Sequence, residues 1–183
     1  MTVTHTPLTA TDLLSLTGDG QRHELIAGEL LTMSPSGEEH GSLAAMFTTY
    51  LTQHVLANQL GRVFAAETGF LLATAPDTVR APDVAFVSRA RLLASVQGSG
   101  YHQGEPDLAV EIISPHDRYT EVEEKVAMWL AHGTRMVIVV NPRSQTLTTH
   151  RSATDVRHLV ATDLLEGADV VPGWRVPVRD LFQ

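Results

Sequence analysis

Two acids in this chain stand where acids are unfavourable. In the stretch DLAVEIISP, residues 107–115, Glu111 interrupts the apolar run Leu108, Ala109, Val110, Ile112, Ile113. A run of this kind, closed by Ser114-Pro115, reads as a strand buried on both faces of a sheet. An isolated ionised carboxylate is costly there unless a partner or a metal neutralises it. Upstream, RAPDVAFV sets Asp83 at the head of a second apolar strand. Pro82 has no N–H, which suits the start of a strand and not its middle. Neighbouring strands that each carry one such acid bring two carboxylates within a few ångströms. That oxygen pair suits a hard cation such as Mg²⁺, which binds through one or two carboxylates and keeps waters for a phosphate substrate.

The third chemical residue is Lys125. The chain has 13 basic Lys and Arg residues, and Lys125 is the only lysine among them. It lies in TEVEEKVAMWLAHG, a helix whose stripe is Val122, Val126, Trp129 and Leu130, at i, i+4, i+7 and i+8. Thr120 and Glu123 match a capping box, and Gly133 marks the stop. Lys125 sits one turn from Val122 and from Trp129, at the margin of the stripe. A helix that lays its stripe on the sheet brings that ammonium back over Glu111. There it can orient an attacking water or stabilise charge on a phosphorane-like transition state.

The elements that must position these residues follow from pattern. RHELIAGELLTM, residues 22–33, predicts a hairpin turning at Ala27-Gly28, with Gly28 at positive φ. SPSGEEHG is a loop. Residues 38–60 carry a helical face of Leu43, Met46, Phe47, Tyr50, Leu51 and Val55, with Gly61 as the expected stop. The runs 62–74 and 79–88 are strand-like. Residues 89–106 read as a loop with one helical turn at Arg91–Val96. RMVIVVNP is another buried strand, so strand, helix and strand form a right-handed βαβ unit. TLTTHR and VRHLVA read as an outer hairpin, and VVPGWRVPVRDLF packs the end of the chain back on the body. The expected class is α/β around a mixed sheet, in a single domain over 1–183, with a core at about 22–142 and an outer β tail at 143–183.

Composition narrows the function. At 43% hydrophobic the chain can bury a substantial core, and it has no cysteine for disulfides or thiolate metal sites. A net charge of −8 argues against a general basic coat for nucleic acid, though not against a local basic cleft. No apolar run approaches membrane-helix length, and the N-terminus shows no secretory pattern, so a cytoplasmic protein is expected. The histidines His54, His102, His116, His150 and His158 are scattered without metal spacing. G-x-S-x-G and S-x-x-K are absent, and GSGYHQG at 98–104 opens no helix from a strand.

Pro82-Asp83, then VEII at 110–113, then a helix with Lys125 resembles the PD-(D/E)xK nuclease superfamily. More narrowly, HELIAGEL, RAPDVAFV, PDLAVEIISP, EEKVAMWLAHG and VIVVNP resemble the Uma family of restriction-endonuclease-like proteins, over about residues 22 to 142. The resemblance implies a restriction-endonuclease-like αβββαβ core and a Mg²⁺ or Mn²⁺ held by Asp83, Glu111 and the Ile112 carbonyl. It further implies hydrolysis of DNA phosphodiesters. The E-x-K lysine position holds Ile113, and the resemblance assigns the lysine's part to Lys125. Fold analogy adds a homodimer, whose two clefts address two strands.

Plainer roles stand beside these. Asp83 can cap a turn, and Glu111 can face solvent or pair with Arg80 or Arg118. Lys125 can pair with Glu121 and Glu124 on the surface. Glu24 and His40 are within reach of the same cleft, or serve as a surface charge and a helix-end hydrogen bond. The alternative function is a catalytically inactive scaffold of this fold that binds DNA or a protein. A third is hydrolysis of some other phosphate ester.

Overall fold

Alternation along the strands decides the layers of the molecule, seen here in a computed structural model that describes residues 6–16, 20–65, 68–95, 100–115 and 117–183. Every residue of β8 (Leu108–Ile112) is buried, as are the first five of β9 (Met136–Asn141). On one face Leu108, Val110, Ile112, Met136, Ile138 and Val140 join the core under helix α2 (Glu38–Ala57), through its stripe Leu43, Phe47, Leu51 and Val55. On the other face Ala109, Val137 and Val139 pack beneath helix α4 (Tyr119–Ala131), through Val126 and Trp129. A sheet covered on both sides needs such two-sided apolar strands.

The six-stranded sheet runs β11-β10-β9-β8-β6-β3, with β3 (Gly61–Ala65), β6 (Val84–Ser88), β10 (Thr146–His150) and β11 (Val156–Leu159). Within this sheet, among the described residues, only β8 and β9 pair in parallel, with α4 as their crossover, as the βαβ pattern predicts. The strands do not all join this sheet. The hairpin β1 (Arg22–Ile26) and β2 (Glu29–Met33) belongs to a second, five-stranded sheet. Its order is β2-β1-β5-β4-β7, with β4 (Phe70–Ala73), β5 (Thr78–Arg80) and β7 (His102–Gln103). Helix α1 (Ala10–Ser15) seats Leu13 on Leu25 and Val79 of this sheet. At the hairpin turn both Ala27 (φ 50°) and Gly28 (φ 80°) are left-handed, the pairing a two-residue type I′ turn requires. The tail pairs β10 with β11 as expected, and β12 (Leu164–Glu166) with β13 (Arg175–Pro177).

Several boundaries differ from the sequence reading. The cap of α4 lies two residues earlier, because the helix starts at Tyr119 and Glu121 Oε2 accepts the Arg118 N–H at 3.0 Å. Thr120 therefore lies inside the first turn. Helix α2 stops at Ala57, where Gln59 turns left-handed (φ 53°), and Gly61 opens β3 instead. The helical turn near residue 91 is α3, Arg89–Ala94. Val96, His116, residues 98–99 of GSGYHQG and the first five residues of the N-terminus lie outside the described residues.

Candidate active site

The link from β5 to β6, residues 81–83, carries the chain from the five-stranded sheet to the six-stranded one. It ends at a fork. Strands β6 and β8 pair from Phe86↔Leu108 to Val84↔Val110, and the Asp83 N–H still donates to the Val110 carbonyl at 3.0 Å. Beyond that point β8 has no β6 partner, and the Asp83 side chain replaces it. Asp83 Oδ2 accepts the Ile112 N–H at 2.8 Å. The aspartate is thus fixed at both its backbone and its carboxylate, at the C-terminal end of the parallel pair, where α/β sheets bind their ligands.

Glu111 precedes Ile112, so strand alternation turns it to the opposite face, under α4. It is 7% exposed. Its Oε1 accepts the Trp129 indole N–H at 2.7 Å, and its Oε2 lies 3.3 Å from Lys125 Nζ. Burial pushes the Glu111 carboxyl above its ordinary range, the Lys125 ammonium pulls it down, and the Asp83 charge pushes it up again. Lys125 is held above its ordinary range, first by Glu111 and against its own burial. As its place at the margin of the helical stripe predicts, Lys125 pairs with Glu111, and Glu111 pairs with neither Arg80 nor Arg118 among the described residues.

Three further side chains close the site. Helix α2 brings His40, in its first turn, to the fork, where Nε2 lies 3.2 Å from Asp83 Oδ2. Strand β1 brings Glu24, whose Oε1 accepts the Ala81 N–H at 2.9 Å and ties down the link between the sheets. Glu24 Oε2 pairs with Arg80 Nε at 3.0 Å, although the two atoms are not aligned as a hydrogen bond. Both residues are buried, and the Glu24 charge acts on Glu111 and on Lys125. So Glu24 and His40 are buried members of this cluster and not a surface charge and a simple helix end. Trp129 was legible only as part of the apolar stripe, since nothing in its spacing marks the use of its N–H. The remaining described histidines are elsewhere: His54, for one, contacts the Pro172 carbonyl at 2.9 Å.

The charges do not balance. Glu24 has Arg80 and Glu111 has Lys125, but among the described residues the Asp83 carboxylate has no Arg or Lys partner, only the Ile112 N–H and the nearby His40 ring. A buried carboxylate with no Arg or Lys beside it, near a second one, is a donor set that favours a divalent ion. Among the described residues no group of three or more His, Asp or Glu side chains could hold an ion by themselves. Asp83 and Glu111 put two carboxylates at this end of β8, the hard oxygen donors that Mg²⁺ takes.

Comparison with known proteins bears on the family and the fold. A family model described as "Uma2: Putative restriction endonuclease" matches residues 10–179, and the chain belongs to this family. The solved structure of a "putative nuclease belonging to DUF820" from Anabaena variabilis superposes with a TM-score of 0.79 at 21% identity, covering 96% of this chain and 98% of that one. The mixed sheets flanked by helices are therefore the fold of that solved structure. No curated protein matches the chain. No helix among the described residues is long and apolar enough to cross a membrane.

Proposed function

We propose that this protein is a metal-dependent endonuclease that hydrolyses DNA phosphodiester bonds at the fork between β6 and β8. The observation that carries the reading is that Asp83 is bonded to Ile112, the residue after Glu111, and lies near enough for its charge to act on Glu111, with Lys125 3.3 Å from Glu111. Family membership supports the nuclease class. Asp83, Glu111 and the Ile112 carbonyl would hold Mg²⁺ or Mn²⁺, which when bound polarises a phosphoryl oxygen and lowers the pKa of water. Glu111 accepts the Trp129 N–H, which keeps its carboxylate in one orientation. Lys125 offers ammonium hydrogens to the water that attacks phosphorus in line, and to the charge that grows on the phosphoryl oxygens. Arg80 is neutralised by Glu24, which leaves Lys125 as the cation nearest to Glu111. A homodimer would let two such sites address the two strands of a duplex.

The test is plasmid cleavage. Cleavage is expected with Mg²⁺ or Mn²⁺, to stop with EDTA, and to be lost in Glu111→Ala while circular dichroism stays unchanged. Absence of cleavage at every metal concentration would sink the reading and leave a binding scaffold of the same fold. Turnover of model diesters with intact plasmid would shift the substrate to a smaller phosphate ester.

A further inference from the structure

The six-stranded sheet ends at β11, and the outer side of that strand is unpaired among the described residues. Val156 is 45% exposed and Val160, just past the strand, 42%. At the hairpin turn the Arg151 N–H donates to the Asp155 carbonyl at 2.9 Å. Alternation along the antiparallel ladder then points the backbone groups of Asp155, Arg157 and Leu159 in to β10, and those of Val156 and His158 out. An outer strand of this kind is a template for another strand, and proteins block it with lysine, proline or a bulge. Strand β11 has none of the three. The side chains of Asp155 and Arg157 are exposed, and neither has an ion pair among the described residues.

We propose that β11 pairs antiparallel with β11 of a second copy of this chain, about a two-fold axis at Val156. Registers centred on the strand put the axis at Val156, Arg157, His158 or Leu159 and keep the outward groups matched. An axis at Arg157 sets two guanidiniums opposite each other, which is unfavourable. An axis at His158 or Leu159 sets Arg157 against the partner's Leu159 or the partner's Ala161, with no charge to meet it. An axis at Val156 sets Asp155 against the partner's Arg157, and by symmetry Arg157 against the partner's Asp155. These fall at the non-hydrogen-bonded positions, where facing side chains stand closest. The other outer strands offer no such match, since β3 has Arg62 as its one charge and β2 has Glu29. The axis stands perpendicular to the joined sheet, so both α4 helices lie on one side of it. Counting three strand spacings from β8 to β11 in each copy and one across the axis, the two β8 strands are roughly 34 Å apart, about one turn of a DNA duplex.

The match to a DNA turn rests on the nuclease reading, whereas the interface itself is tested without metal or DNA. The full chain is followed by sedimentation velocity over a range of loading concentrations, and the wild type is expected to dimerise. Arg157→Asp, which sets like charges across the axis, is expected to raise the dimer dissociation constant about tenfold or more. Val156→Lys is expected to leave only monomer. Both positions are exposed, so the circular dichroism of each variant is expected to match the wild type. Asp155→Arg combined with Arg157→Asp rebuilds the pairs in reverse and is expected to recover most of the lost affinity. A wild type that stays monomeric at every concentration overturns the inference, as does a dimer that Arg157→Asp leaves intact or that the reversed pair fails to restore. A dimer that cleaves no plasmid keeps the interface and overturns the nuclease reading. Cleavage by a monomeric wild type does the reverse.

Discussion

Strand β8 has a buried acid near each end, and the two ends are built differently. At the N-terminal end Asp107, 2% exposed, precedes the first residue of the strand. Its Oδ2 accepts the Ser88 N–H at 2.7 Å and its Oδ1 the Arg91 Nε–H at 3.0 Å, with Arg135 3.8 Å away. Those arginines are themselves tied, Arg91 to Glu105 and Arg135 to Asp169, which also meets Arg151. At the C-terminal end Glu111 has one indole N–H and one ammonium, with Asp83 close enough to raise its proton affinity. The Asp107 carboxylate is saturated by strong donors and can only hold the strand in place. The Glu111 carboxylate has a single cation, and both its burial and the Asp83 charge act against its ionised form. Burial alone does not mark a functional acid; the donors around it do.

Substitutions at the two ends should separate these roles. The largest effect falls on turnover: Lys125→Ala should cut plasmid cleavage about a hundredfold or more in gel assays, with Lys125→Arg recovering little, because a planar guanidinium does not replace a compact ammonium. Next comes stability. Asp107→Asn should cost about 2 kcal/mol in urea denaturation while cleavage persists; the figure is kept low because Arg91 and Arg135 are 32% and 41% exposed. Glu111→Gln should hold or raise stability while cleavage disappears. If both variants shift stability alike, the contrast between the two ends fails.

A smaller effect is in pH. The folded state raises the proton affinity of Glu111, so it binds more protons than the unfolded chain between the ordinary value of 4.5 and the raised one. Stability contributed at this site is therefore greatest at low pH and declines as pH rises through that window. In metal-free buffer Glu111→Gln lacks this decline and should gain on the wild type as pH climbs above 4.5. A difference that shrinks instead would mean that the acid sits lower than its burial implies.

What the sequence made legible was whatever depends on local period. Glu111 was visible as one charge in a two-sided strand, and Lys125 as one ammonium at a set angle from a helical stripe. The βαβ unit followed from the same periods. What stayed hidden depends on where separate elements meet. Nothing near His40 says that the start of α2 abuts a fork 43 positions later, and nothing in 22–33 says that the hairpin joins a separate sheet while Glu24 guards the link. Trp129 shows its apolar ring in the pattern and conceals its N–H. The shift of the α4 cap from Thr120 to Arg118 arose because two Glu residues, 121 and 123, both sit near a helix start. The smallest measurable effect tests this last point: Glu121→Ala should lower stability by about 0.5–1 kcal/mol and Thr120→Ala by less, compared in parallel thermal melts.

Ile113 occupies the strand position two beyond Glu111, on the same side of the sheet, and packs half-buried in the cluster under α4 that contains Trp129. The side chain of Lys125 descends onto that same side from the helix. One volume of space near the carboxylate is therefore reachable by two routes, along the strand or down from the crossover. Either route could deliver the positive group, provided the other delivers grease. Chains sharing this architecture are thus at liberty to trade the two positions as a pair, whereas the acid itself can slide along β8 only in steps of two, since a single step would turn it towards α2.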